Sequence, residues 1–498
     1  MSELGALEQL EQFEKEEYGV PEGDLRPVGK KKEEDVAYVS FLEGSDYLYE
    51  EIVPDAELAD VANSQTGGVC FVRYSKKDGK IAYVNEFQHK GKTFRPLCDD
   101  ILKMGGVLLP TGIREYKNTK EITDQIKNYF SKRIELPKKP INFESFLPHL
   151  ILFYWMYEQF PFIPYVHFVG GTSTGKTTAM EVFGSLCYKP IDTSSSLTIA
   201  AMFRIATRWK GTLLVDEFEK VGEGTQAIIL FLKAGVSNRL LYRVEGDKLK
   251  EIVAYVIKSP KVFTSEAPVD DAGLQSRILM VKMEKNTREL PLYMLEDDYK
   301  EAREIRNKLL LWRLRNFNKV DLRHIRFGFP ELKCFDRRVQ QILTPVYYFS
   351  EEDTRKDILE FAKEQETETL RARKDALDGV IFEILLERWD KEEEVKVATV
   401  TSVFNEESKS KGYKNEFTEK RIGNIIRKIL GFETERRGHD KSYWVVRNLE
   451  IEASKKEYYG IPPLFESAQV PQVPQTKKNN KNIIGISKEI FLEEETPF

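Results

Sequence analysis

The residues with the clearest chemical potential form the segment GGTSTGKT at positions 170–177. Glycines in such a loop permit a tight turn and let backbone N–H groups approach phosphate oxygens. Lys176 would reach the β and γ phosphates of ATP, and the Thr177 hydroxyl would bind the Mg²⁺ ion that bridges them. The segment therefore predicts a P-loop whose nucleotide-binding residues are Gly170, Gly171, Thr172, Ser173, Thr174, Gly175, Lys176, Thr177 and Thr178.

A second chemical element is the apolar run GTLLV, which is followed directly by Asp216 and Glu217. Its pattern predicts a buried strand of the Walker B type that ends in two carboxylates. Asp216 would hold Mg²⁺ through its water shell, and Glu217 would orient and activate the attacking water. An exposed acidic turn is the alternative interpretation.

Two further positions are candidates for contacts with the γ phosphate. The strand-like run at 260–265 ends in Thr264 and Ser265, either of which would be a polar sensor or an ordinary strand end. Arg277, in the segment LQSRI, could supply charge to a neighbouring subunit's nucleotide as an arginine finger. A salt bridge within the subunit is the alternative for Arg277.

Regular elements must position these residues. The run Tyr165–Val169 predicts a strand that leads into the loop, and a helix-compatible segment follows Lys176. Between Tyr165 and about Phe317, strand-like and helix-like runs alternate, which predicts a parallel sheet covered on both faces. Upstream, alternating stretches between Val36 and about Phe87 predict a small antiparallel β module, and 143–160 predicts a buried helix.

The order of these motifs resembles that of the AAA+ ATPases. More narrowly, residues 143–350 resemble the helicase-like ATPases of viruses, plasmids and integrated elements, akin to superfamily 3 and minichromosome-maintenance-type helicases. The resemblance implies a homo-oligomeric ring, expected to be a hexamer, in which Arg277 acts between subunits and Arg338 is a second sensor. A solvated helix face is the alternative for Arg338, and Thr264-Ser265 stands where superfamily 3 has an asparagine.

Basic residues at two places suggest DNA as the partner. Lys248 and Lys250 lie at the predicted tip of a hairpin that resembles the DNA-gripping hairpin of such rings, with a plain surface hairpin as the alternative. Helical patterns at 374–389, 400–407 and 418–430, followed by a strand-turn-strand pattern, resemble an appended winged-helix domain. Its candidate phosphate contacts are Arg421, Arg427, Lys428, Arg436, Arg437 and Lys441. Protein binding or plain solvation would also account for this charge.

The fold class we expect is α/β, with a P-loop AAA+-type parallel-sheet core, an N-terminal β-rich domain and a C-terminal winged helix. Net charge of −5 excludes a uniformly basic surface, so any DNA contact must come from local patches. Widely spaced cysteines and the acidic first residues favour a cytoplasmic protein without a membrane segment. The predicted boundaries are a charged leader at 1–35, the β-rich domain at 36–140, the ATPase domain at 141–350, a helical linker at 351–370, the winged helix at 371–448 and a disordered tail at 449–498.

Together with these patterns, the resemblance implies an ATP-driven DNA helicase or translocase for replication of a mobile element or virus. It would act on single-stranded or forked DNA, with a primase or polymerase as a possible further partner. The alternative is an ATP-dependent DNA-binding regulator or initiator that does not unwind DNA. A protein-remodelling ATPase gains support only from the β module, since no aromatic pore loop is evident.

Overall fold

A computed structural model describes the chain in two compact units, which divide between Ile358 and Leu359. The described residues are 36–56, 58, 66–193, 198–218, 225–245, 251–269, 271–392, 394–410, 416–437 and 442–462. The predicted leader at 1–35 and the chain beyond 462 lie outside them.

The first unit begins with seven short strands that form two sheets. They are β1 (Val36–Val39), β2 (Phe41–Glu43), β3 (Tyr47–Ile52), β4 (Cys70–Ser75), β5 (Ile81–Val84), β6 (Phe87–His89) and β7 (Lys92–Pro96). An antiparallel sheet has the order β2-β3-β4-β5, and the smaller sheet has the order β1-β7-β6. Strands β1 and β7 are parallel, but β7 lies beyond the stretch from Val36 to about Phe87 for which the antiparallel module is predicted. The alternation of apolar and polar residues indicates which face of a sheet each residue occupies. It does not indicate whether the neighbouring strand is parallel or antiparallel.

Three helices connect this module to the central sheet. They are α1 (Asp100–Lys103), α2 (Thr119–Ser131) and α3 (Phe143–Tyr154). Asn118 caps α2 by accepting a hydrogen bond from the Glu121 backbone N–H. Helix α3 is buried along almost its whole length, as its apolar and aromatic sequence predicts.

The central sheet has five parallel strands in the order β14-β8-β13-β10-β9. In chain order the elements are β8 (Tyr165–Val169), α4 (Lys176–Gly184), β9 (Pro190–Thr193), α5 (Ile199–Trp209), β10 (Thr212–Val215), α6 (Thr225–Ala234), β11 (Leu240–Glu245), β12 (Glu251–Val256), β13 (Lys261–Ser265), α7 (Ala272–Gln275), β14 (Ile278–Lys282) and α8 (Glu296–Asn316). Strands β11 and β12 form a separate antiparallel hairpin. Because the five strands are parallel, their C-terminal ends share one edge, where ligands bind in such sheets.

The β module and the central sheet are joined by a buried ion cluster around Arg313 of α8. The Arg313 guanidinium lies 3.1 Å from Glu50 of β3 and 2.9 Å from Glu158. The Tyr188 hydroxyl also donates to Glu50 at 2.5 Å, and the Lys189 ammonium lies 3.3 Å from the same carboxylate. Since buried charges are tolerated only when paired, this cluster ties the two parts together.

Three helices complete the first unit and lead into the second: α9 (Leu322–Phe327), α10 (Arg337–Phe349) and α11 (Glu352–Asp375). The second unit continues with α12 (Leu377–Lys391), β15 (Val395–Lys396), α13 (Val397–Ser410), α14 (Glu419–Ile425), β16 (Thr434–Arg437), β17 (Ser442–Val445) and α15 (Leu449–Tyr459). Its strands form an antiparallel sheet in the order β15-β17-β16.

Two features of the second unit differ from the sequence-based expectation. Ile429 was expected on the apolar face of the third helix but is 52% exposed, because a π-helical turn at Ile426–Leu430 widens the helix and rotates this side chain outward. The disordered tail expected from 449 instead begins with α15. Its Tyr459 is buried in the core and donates a 2.6 Å hydrogen bond to Asp378, so an aromatic anchor helps to hold this highly charged segment.

Candidate functional site

The predicted phosphate loop lies between the end of β8 and the start of α4. Gly175 has φ of 80°, a left-handed conformation that favours glycine, and it directly precedes the first helical residue. A Cβ atom on Gly170 would lie 2.5 Å from the Met283 carbonyl oxygen, so only glycine fits there. Thr172 and Ser173 lie on the exposed outer part of the loop. The sequence pattern is therefore matched by a loop that needs glycine at two places for steric reasons.

The loop and the start of α4 bring together several hydrogen-bond donors. The first intrahelical bond of α4 runs from the Ala179 N–H to the Gly175 carbonyl at 2.8 Å. The N–H groups of Lys176, Thr177 and Thr178 thus belong to the helix N-terminus, where an anion is favoured by both hydrogen bonding and the helix dipole. The Lys176 ammonium donates to the Gly171 carbonyl at 2.7 Å and so lies against the same loop.

The acidic pair and one sensor candidate meet the loop at the C-terminal edge of the sheet. The Thr177 hydroxyl is 3.2 Å from both carboxylate oxygens of Asp216. Thr264 at the end of β13 donates to Asp216 and accepts a 2.9 Å hydrogen bond from the Glu217 N–H. Glu217 has φ of 46°, so the hydrogen bond to Thr264 stabilises a strained backbone turn at Glu217.

These oxygens fit a small divalent cation. A threonine hydroxyl and a carboxylate at one point are hard ligands, and Mg²⁺ in proteins commonly takes one or two such groups together with water and phosphate oxygens. Thr177 and Asp216 are the residues that would hold it.

Thr264 and Ser265 face opposite sides of the sheet. The Ser265 hydroxyl lies 2.5 Å from the His167 Nε2 atom and donates to the Ala267 carbonyl, on the face away from Asp216. Burial lowers the pKa of His167 to about 3, so this ring is neutral. The structure therefore brings Thr264 into the site and not Ser265. Neighbouring residues of a strand point to opposite faces, so only one of the two can lie on the face that carries α4. The sequence does not show which face that is.

Sequence reasoning missed Asp192, the second-last residue of β9, which lies towards the same edge. Burial raises the pKa of Asp192, and the nearby carboxylates of Glu181 and Asp216 raise it further. The sequence signal for Asp192 was its position near the end of the strand-like segment PIDT. Asp216 likewise occurs at the end of a strand-like segment. The end of the sheet that carries the predicted phosphate loop thus concentrates negative charge.

The candidate arginines lie at the other end of the sheet. Arg277 directly precedes β14, whose first residue is in register with Tyr165 at the start of β8. Burial lowers the pKa of Arg277, and the positive charges of Arg338 and Arg239 lower it further. Its Nη1 donates to the Gly273 carbonyl, whereas its buried Nε has no hydrogen-bond partner among the described residues.

Arg338 lies near Arg277 and away from the phosphate loop. Its guanidinium lies 5.6 Å from the ring of Phe162, a residue that precedes β8, and it donates to Gln341 at 2.7 Å. The five residues of β8 separate this end from the loop by about 17 Å at about 3.3 Å per residue. Neither arginine can therefore contact a nucleotide bound to its own loop.

The candidate DNA contacts are described only in part, because Lys248, Lys250 and Lys441 lie outside the described residues. Arg427 donates to Thr434 and Asn424, and Lys428 beside it is exposed. Arg421 stacks over Phe417 at 4.2 Å, and Arg436 lies 5.4 Å from the ring of Tyr443. Arg437 differs, because Glu394 at 2.6 Å and Glu435 at 2.7 Å already compensate its charge.

In the part of the chain that the structure describes, no helix combines the length and apolar character needed to cross a bilayer.

The mixed α/β architecture, with its parallel sheet, is compatible with a P-loop core. No protein-family model matches the chain, and no curated protein matches it. A solved structure described as the active helicase Cch of SCCmec type IV is similar over 92% of this chain and 87% of its own, at 13% identity and a TM-score of 0.44. The A-form apo structure of the NrS-1 C-terminal region is similar over 76% of this chain and 94% of its own, at 12% identity and a TM-score of 0.37. At these values neither likeness bears on activity, which has to be inferred from the chain's own residues.

Proposed function

We propose that this protein hydrolyses ATP at the C-terminal edge of its central sheet. The observation that carries the proposal is the convergence of the Lys176 loop, the Thr177 hydroxyl and the Asp216 carboxylate at one point. Lys176 and the helix N-terminus would bind the phosphates. Mg²⁺ held by Thr177 and Asp216 would offset the phosphate charge. Glu217, which directly follows Asp216, would orient the attacking water and accept its proton.

The proposed active form is a ring of identical subunits, with a hexamer expected from the AAA+ resemblance. Support comes from the position of Arg277, about 17 Å from its own phosphate loop along β8. A head-to-tail contact would bring Arg277 of one subunit to the nucleotide of the next, where it would stabilise charge in the transition state. Arg338 could reach a nucleotide only in the same way.

The energy of hydrolysis is proposed to drive movement along DNA. The second unit has the element order of a winged helix, in which α14 and its π-helical turn would be the recognition helix. Arg421, Arg427 and Lys428 are exposed on that element, and Arg436 is exposed on the adjoining β16. Cations in this arrangement are suited to phosphate contacts. A helicase or translocase would combine ATP hydrolysis in the first unit with DNA binding by the second. Its proposed role in replication of a mobile element or virus rests on the family resemblance alone.

The test is ATP hydrolysis by the full chain, with and without single-stranded DNA, and displacement of a strand from forked DNA. We expect DNA to stimulate hydrolysis, and we expect both activities to be lost in Lys176→Ala. As a matched control, Lys80→Ala changes a lysine of the β module whose side chain is 84% exposed, and it should retain both activities. Hydrolysis that does not respond to DNA would contradict the helicase proposal while leaving the ATPase proposal intact.

A DNA-binding regulator is the second candidate, and the exposed basic face of the second unit favours it. In that case ATP would control assembly on duplex DNA without unwinding. Tight binding to a particular duplex, lost in Arg427→Ala and retained in Arg437→Ala, would support this candidate if strand displacement is absent. Displacement dependent on Lys176 would instead support the helicase.

A further inference from the structure

One face of the β11–β12 hairpin is apolar and exposed. The register places Leu240 opposite Val256 and Tyr242 opposite Ala254, and Ile252 lies two residues before Ala254 on the same face. Tyr242 is 66% exposed, Ile252 73% and Leu240 37%. None of the side chains described on this face carries a charge. A continuous apolar strip of this kind on a two-stranded hairpin marks a surface that is covered in the working protein.

The opposite face is already covered by the protein's own core. Tyr255 is buried and its ring lies 5.6 Å from that of Phe203 on α5. The Thr207 hydroxyl also donates to the Val256 carbonyl at 3.2 Å. The hairpin is thus held against the subunit by one face, which leaves the Leu240–Tyr242–Ile252 face directed outward.

The charges at the two ends of the central sheet identify the occupant. Arg239, immediately before β11, adds its charge to that of Arg277 and Arg338 at one end. Asp192, Asp216 and Glu217 lie at the other end. A second copy that presents its acidic, nucleotide-binding end to the arginine end would be attracted electrostatically. Because Arg239 adjoins Leu240, that copy would also cover the apolar face.

We infer that the Leu240–Tyr242–Ile252 face of the hairpin packs against a neighbouring copy of this chain and supplies the apolar part of the ring interface. This inference rests on the proposed ATPase ring and assigns a surface to it. DNA fits the face poorly, because DNA binding depends mainly on contacts between cations and phosphates. The arginines beside the hairpin would then fix the relative orientation of the two subunits, and the apolar strip would stabilise their contact by burial.

The experiment is sedimentation velocity of the full chain with Mg²⁺ and a slowly hydrolysed ATP analogue. The test variant is Tyr242→Glu combined with Ile252→Glu, because a carboxylate buried in an apolar contact without a partner is strongly unfavourable. We expect self-association to weaken about tenfold or more, while the separated subunit binds the analogue with wild-type affinity. Tyr242→Phe with Ile252→Val should assemble like the wild type. Tyr293→Glu, at a tyrosine that is 78% exposed elsewhere in the unit, is the matched control.

Assembly of the glutamate variant at wild-type concentrations would overturn the inference. So would normal assembly with lost binding of single-stranded DNA, which would assign the face to nucleic acid, or equal dissociation of Tyr293→Glu. Unchanged thermal unfolding of the separated variant subunit excludes misfolding as the cause. A wild-type chain that fails to bind the analogue contradicts the proposed function, whereas one that binds it and never self-associates contradicts this inference.

Discussion

Replacing Thr264 by valine tests how the acidic turn is held. Valine has nearly the same shape, but it cannot donate to Asp216 or accept from the Glu217 N–H at 2.9 Å. A hydrogen bond to a charged group contributes about 1.5–3 kcal/mol, which corresponds to roughly 10-fold to 100-fold in a rate. We expect kcat for ATP hydrolysis to fall by about that factor and the Mg²⁺ concentration for half-maximal rate to rise. KM for ATP should change little, because the phosphate loop is untouched.

The assay is steady-state phosphate release at saturating ATP, repeated over a Mg²⁺ titration. Thr264→Ser keeps the hydroxyl and should retain most of the rate. Ser265→Ala removes a hydroxyl from the next residue, on the opposite face of the sheet, and should leave the Mg²⁺ dependence unchanged. The reasoning is refuted if Thr264→Val retains kcat within about twofold of the wild type, since a lost charged hydrogen bond should cost more than that.

The remaining predictions concern three other groups. Glu217→Gln should bind ATP with wild-type affinity and release phosphate at a greatly reduced rate, and a wild-type rate would remove Glu217 from the proton-transfer step. Arg277→Ala should abolish hydrolysis by the assembled protein while single subunits still bind ATP, and normal hydrolysis would leave Arg277 a structural residue. His167, with a pKa of about 3 when folded, takes up a proton below pH 6.5 only on unfolding. Its contribution to stability is therefore complete above pH 6.5 and is lost as pH falls towards 3, at up to about 1.4 kcal/mol per unit. Denaturant unfolding at pH 7 and pH 5 should show a smaller difference for His167→Gln than for the wild type, and equal differences would contradict the assignment.

The candidate phosphate-binding end of the sheet was predictable because its signals are local. Glycine spacing, the adjacent lysine and threonine, and an apolar run that ends in Asp216 and Glu217 all lie within short segments. The parallel order of the strands then brings the segments to one edge. The roles assigned to these residues stay predictions.

Other features depend on three-dimensional relations that short segments do not encode. The choice between Thr264 and Ser265 depends on which face of β13 carries α4. The exposure of Ile429 follows from a π-helical turn that a regular period of 3.6 residues cannot anticipate. Arg437 resembled its basic neighbours in sequence, but Glu394, distant along the chain, compensates its charge.

The buried cluster around Arg313 has a practical consequence for dissecting the molecule. A fragment that begins at residue 141 would contain Arg313, Tyr188 and Lys189 but would lack Glu50, the carboxylate they share. Two buried cations would then lose an anionic partner, a change that typically costs several kcal/mol. Limited proteolysis should for this reason leave the strands before residue 140 attached to the central sheet. The smallest piece suited to biochemical work on the central sheet thus has to include the β module.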